Sequence, residues 1–171
     1  MSFFRSILKK EISPVQRRYS YVGDIVSAIS EIHQEEVNMS IWRRKLNSNV
    51  EEVAKHIVKT KPYLQLSEVV RPINVNDILS SEIGSNEHTS DFREDVSELV
   101  NMFCHHFNLK QVSFRLKVLD NTMCPRFHVD RVPCRLITTY LGIATEWLPH
   151  HLVDRSNLGK AGHGKLDEET G

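Results

Sequence analysis

Four residues with the chemistry of metal ligands fall within eleven positions of this chain: Cys124, His128, Asp130 and Cys134, in the string CPRFHVDRVPC. Histidine and aspartate two apart suit a strand, because an extended backbone sends alternate side chains to opposite faces. His128 and Asp130 then point the same way, with Phe127 and Val129 behind them. One imidazole and one carboxylate aimed at a shared point make two-thirds of a 2-His-1-carboxylate triad. Such a triad leaves coordination positions of Fe(II) open.

The two cysteines offer a second chemistry. Zn²⁺ accepts sulfur, nitrogen and oxygen donors in a tetrahedral site. The even spacings within the string put all four side chains on one face of an extended segment. Such a segment rises about 3.3 Å per residue, so Cys124 and Cys134 share an ion only if the chain bends. Cys124, His128 and Asp130 form a three-ligand set if the Cys-Pro turn folds back. A third reading is structural: His128 hydrogen-bonds Asp130 or a backbone carbonyl, and the cysteines are small buried residues.

The context of the pair adds a resemblance. The string HVDRVPCRLITTYLG resembles the core of iron- and 2-oxoglutarate-dependent oxygenases of the prolyl hydroxylase type, in which the H-x-D strand precedes an Arg-x-x-Thr-x-x-Tyr-Leu-like strand of a double-stranded β-helix. The longer string MCPRFHVDRVPCRLITTYLGIATEWLP, with VDRSNL, is similar to an uncharacterised bacterial domain family with a Cys-Pro-x-Phe-His-x-Asp … Thr-Tyr-x-Gly-x-Gly-Thr-Glu-Trp pattern. That similarity runs from about residue 41 onward and is densest between Cys124 and Asp154. Ala144 departs from it, standing where the pattern has glycine. The oxygenase resemblance implies Fe(II) and 2-oxoglutarate as cofactors, with His128 and Asp130 as iron ligands. It also implies that Thr139 or Tyr140 contacts the cosubstrate, only one of them facing the metal. The bacterial family has been linked by gene neighbourhood to zinc-responsive metal homeostasis, which implies the alternative: a non-enzymatic zinc protein using Cys124, His128, Asp130 and Cys134.

A complete β-helix supplies its second histidine late. Only residues 131–171 follow the H-x-D, with His150, His151 and His163 among them, so the expectation is either an incomplete double-stranded β-helix, or jelly roll, truncated at its C-terminus, or a chain that does not run oxygenase chemistry. Residues 1–19 read as an N-terminal arm and 20–171 as a single domain. Within it, 25–32 has helical spacing and MSIWRRKL opens like a strand. NVEEVAKHIV opens a helix capped by Asn49 with Glu52 three residues on. Residues 61–90, with two prolines and several Asn, Ser and Gly, read mostly as loop. SDFREDVSELVNMFCHHF is a helix capped by Ser90 or Asp91, with Phe92, Val96, Leu99, Val100 and Phe103 as its apolar stripe. Cys104 reads as a core residue, and His105 and His106 as cations tolerated near a helix C-terminus. VSFRLKVLD, RFHVD and RLITTYLG read as three successive strands, and the glycine-rich tail from Asp154 as loop. The expected fold class is α+β, N-terminal helices packed on a C-terminal antiparallel sheet.

Composition narrows the function. Twenty-two basic residues balance twenty-two acidic ones, so the basic excess of a nucleic-acid surface is missing. No run of about 18 apolar residues is long enough to cross a membrane. Three cysteines without a secretory leader fit a reducing, cytoplasmic setting. Nucleotide-binding and nucleophile-elbow motifs are absent. Trp42 and Trp147 read as buried aromatics, and Glu146 as a solvated acid or a support for a ligand histidine. The expected partner is a small molecule or a metal ion.

Overall fold

The computed structural model describes residues 18–122, 127–130, 132–155 and 158. The N-terminal arm through residue 17, Cys124 and most of the glycine-rich tail lie outside the described residues. The chain divides into two compact units, one of Met1–Arg44 with Trp147–Gly171 and one of Lys45–Glu146.

In the first unit, β1 (Tyr19–Gly23) and β2 (Val37–Trp42) pair in parallel, from Tyr19 opposite Val37 to Gly23 opposite Trp42, with a register shift after Tyr19. A 3-10 helix, Val26–His33, carries the crossover. The 25–32 periodicity therefore marks a real helical turn, but of the tighter kind. Its Val26, Ile29 and Ile32 are β-branched and stiff in an α-helix. Ala28 and Val37 are buried here. Gly23 admits the close approach of the helix, for a Cβ there would stand 2.8 Å from the Ala28 methyl. The Ser40 hydroxyl donates to the Ala28 carbonyl, and Arg43 pairs with Asp24 at 3.0 Å.

The second unit is built on helices. α1 (Ser48–Thr60) buries Val50, Val53, Ala54 and Ile57, which recur at i, i+3, i+4 and i+7. Its cap is Asn47, whose side chain accepts from the Asn49 amide at 3.0 Å. Asn49, the expected cap, instead donates through Nδ2 to Asp91 Oδ2 at 2.7 Å. α2 (Val75–Ile83) was hidden in the stretch expected to be loop. It buries only Val75, Leu79 and Ile83 and stops at Gly84, where φ is +95°, a conformation glycine adopts freely. α3 (Ser90–His106) buries Phe92, Val96, Leu99, Val100 and Cys104, close to the expected stripe. Neither Ser90 nor Asp91 caps it. Thr89 holds that position, and its hydroxyl reaches back to the Gly84 carbonyl at 2.7 Å.

The second unit's sheet is antiparallel and two-stranded. β4 (Val112–Lys117) is the alternating strand read from VSFRLKVLD, but its partner is β3 (Gln65–Val70), from the supposed loop. Leu66 faces Leu116 and Val70 faces Val112, and this face closes over the helical core. The chain is thus α+β, with helices and small sheets and no closed barrel among the described residues. The strands expected at RFHVD and RLITTYLG are not formed in the described residues: 127–130 and 134–142 belong to no regular element. Strand propensity needs a ladder partner to become a strand. Here β4 takes its partner from earlier in the chain. Val129, Val132, Ile137, Leu141 and Ile143 are consequently exposed.

Arg93, only 8% exposed, fastens α2 to α3. Its Nη1 donates to Asn76 Oδ1 at 2.7 Å and to Ser80 Oγ at 3.0 Å, and its Nε to Thr89 Oγ1 at 3.4 Å. Removing a buried donor strands its acceptors, so Arg93→Ala should cost about 2 kcal/mol. Phe92→Ala, which empties a core position, should cost about 3–5 kcal/mol. Urea unfolding midpoints at unchanged m-value check both, and a shift no larger than that of a surface substitution contradicts them.

Candidate metal site

The H-x-D pair converges as alternation requires, although no ladder holds it. His128 Nε2 lies 3.2 Å from Asp130 Oδ1, both side chains being partly exposed. The other carboxylate oxygen, Oδ2, accepts from Arg135 Nη1 at 2.9 Å. Asp130 is therefore held between an imidazole and a guanidinium. That clasp does locally what a strand ladder would have done. Arg135 was not singled out by sequence reasoning. Its signal was a lone cation five residues after a carboxylate, which is uninformative until the turn at 132–133 brings the two together.

Cys134 is half-buried and its thiol is free. Burial pushes that thiol above the usual range, and the Arg135 backbone amide draws it back in part. Among the described residues no three His, Cys, Asp or Glu side chains stand together as a group able to hold an ion. Cys134 therefore does not complete a ligand set with His128 and Asp130. Cys124 lies outside the described residues. His150 and His151 sit on a short 3-10 helix, His150–Leu152, in the other unit. Cys104 is buried in the core, and burial raises its thiol as well, as expected of a packing residue.

The segment after the clasp is fixed at one point. Tyr140 donates its hydroxyl to Asp95 Oδ2 on α3 at 2.6 Å, and its ring packs on Phe92 with centroids 4.6 Å apart. Thr139, next to it, is exposed. Gly142 turns the chain with φ +94°, whereas Ala144 needs no such freedom, since Asn108 is the one non-glycine residue with positive φ among those described. The alanine standing in place of a glycine is accommodated without backbone strain. Glu146 is exposed, and Trp147 is 37% exposed rather than buried. Trp42 is half-buried with the Arg44 guanidinium 5.7 Å from its ring centre.

A protein-family model described as "Protein of unknown function (DUF1826)" matches residues 23–170. This accords with the expected uncharacterised domain family and carries no statement about oxygenase chemistry. No curated protein and no solved structure matches the chain.

Two outcomes follow from the geometry. Tyr140→Phe removes one hydrogen bond while keeping the ring on Phe92, and should lower stability by about 1 kcal/mol in urea unfolding; a neutral effect means the Asp95 bond is not made in solution. Cys104 and Cys134, whose raised thiols hold little thiolate near neutrality, should react with iodoacetamide more slowly than free cysteine at pH 7.5. Alkylation should accelerate as pH rises past the normal thiol range. Peptide-resolved mass spectrometry reads both, and labelling at the free-cysteine rate contradicts the burial effect.

Proposed function

The chain belongs to the DUF1826 family, and we propose that it binds a divalent transition metal through His128 and Asp130, as an open, oxygenase-like half-site for Fe(II). The observation that carries this is the 3.2 Å separation of His128 Nε2 and Asp130 Oδ1. Two donors bound side by side, each about 2.0–2.2 Å from one ion, lie roughly 3 Å apart. The pair has that spacing before any ion is added, and an ion would take the place of the direct imidazole–carboxylate contact.

Arg135 supports the reading. By engaging Oδ2 it leaves Oδ1 turned toward the imidazole, which is how a partner outside the ligand set orients a ligating carboxylate. Both ligands are partly exposed, so an ion and further ligands have access. The pair is nitrogen and oxygen without thiolate, and Cys134 forms no three-residue ligand group with it among the described residues. This favours Fe(II) over a cysteine-bound zinc ion. Bound iron would supply open positions for oxygen and a chelating 2-oxo acid such as 2-oxoglutarate. The chain's own contribution is an imidazole and a carboxylate held in register. A further ligand must come from beyond this pair.

The test is metal titration of the purified protein, with Fe(II) under anaerobic conditions and with Zn(II). His128→Ala and Asp130→Asn should each weaken Fe(II) binding at least tenfold. Arg135→Met should weaken it about tenfold, as loss of an orienting partner does. Full metal content in both His128→Ala and Asp130→Asn sinks the proposal. Loss of zinc in Cys124→Ser and Cys134→Ser, with iron binding absent throughout, moves the site to the zinc chemistry instead.

A further inference from the structure

A second place in Lys45–Glu146 brings metal-ligand side chains together, two imidazoles, and it owes nothing to the H-x-D pair. His56 is exposed on the flank of α1, beside its buried Val53 and Ile57. His88 sits in the short 3-10 helix Glu87–Thr89 that leads into α3. Their ring centroids are 5.4 Å apart and their planes meet at 88°. Both side chains are exposed.

The distance is compatible with two imidazoles on one ion. An imidazole nitrogen binds zinc at about 2.0–2.1 Å, which puts each ring centre roughly 3.2 Å from the ion; two such rings at a tetrahedral angle are then about 5.2 Å apart. The observed separation is close to that, and rotation about the side-chain bonds of the two exposed rings brings a nitrogen of each to one ion. The backbones that carry the rings are well anchored. α1 is packed through four buried residues. The turn bearing His88 is held by Asn86, whose side chain accepts from the Thr89 amide at 3.1 Å, and by the buried Thr89 hydroxyl on the Gly84 carbonyl at 2.7 Å.

We infer that His56 and His88 form a bis-histidine site for a borderline divalent cation of the Zn²⁺, Ni²⁺ or Cu²⁺ class, with water in the remaining positions. The site ties α1 to the turn before α3. Glu52 lies one turn before His56 on the same face of α1. Its carboxylate is engaged by Lys55 Nζ at 2.6 Å, so it stands aside from the pair as a neighbouring negative charge. Lys55 chiefly, and His88 more weakly, hold that carboxyl below the usual carboxylate range, which places Glu52 within the field of the His88 ring.

The experiment is a zinc and nickel titration of the full chain followed by histidine side-chain NMR, alongside isothermal calorimetry. In the wild type, the His56 and His88 ring resonances should move together at low metal. His56→Ala and His88→Ala should each remove that binding step, with affinity falling at least tenfold, while circular dichroism is unchanged because both residues are exposed. The step should persist in the His128→Ala, Asp130→Asn double variant, which separates this site from the proposed iron site. Unmoved His56 and His88 resonances, or a full set of binding steps in both alanine variants, overturn the inference. A step lost only in the double variant also overturns it.

Discussion

The buried face of α3 is the surface on which the rest of Lys45–Glu146 depends. Phe92, Val96, Val100 and Cys104 join Val50, Val53, Ala54 and Ile57 of α1 and Val75, Leu79 and Ile83 of α2 in one core. The same helix supplies the polar fastenings. Arg93 reaches α2, Asp91 receives Asn49 of α1, and Asp95 receives Tyr140. Apolar burial provides most of the favourable free energy, but it is non-directional. The hydrogen bonds at the margins of this face select one arrangement of the elements around it.

That division of labour explains how an irregular segment holds His128 beside Asp130. Residues 134–142 have strand-forming composition and no ladder, so backbone pairing does not place them. Tyr140 does, packing on Phe92 and bonding to Asp95. Arg135 is five residues earlier in the same segment, and it closes on Asp130. The geometry of the H-x-D pair is therefore set by side-chain contacts rather than by a sheet. A pair held in this way stays close while both side chains remain partly exposed.

A buried Arg93 among neutral partners illustrates the cost of such fastening. Placing a charge away from water is unfavourable unless its donors are engaged. Asn76, Ser80 and Thr89 supply the acceptors, and three neutral partners spread the charge without a buried carboxylate. This network lies outside the reach of pattern reading, because a charged residue within an apolar stripe looks like an error until its acceptors on α2 and the preceding turn are known.

Much of the framework was legible in the amino-acid order. A capping pattern found α1, helical spacing found α3, a short apolar opening found β2, alternation found β4, and Cys104 was read correctly as core. The α+β class followed from these. Period and burial are coupled within a single element, so local sequence was enough. The chain order alone also put His128 and Asp130 on one side of an extended backbone, since two residues span one full alternation. Other features needed the tertiary structure. α2 and β3 are short, rich in Asn, Ser, Asp or Glu, and bury only a few of their residues, so their patterns are weak; α3 and β4 confer their order. The run RLITTYLG had the composition of a strand but pairs with no strand among the described residues. Asn47 displaced Asn49 as the cap of α1 because the latter side chain is drawn to Asp91. The Arg135 clasp and the meeting of His56 with His88 join residues from separate turns and elements, and proximity of that kind is created only when the core brings those elements together.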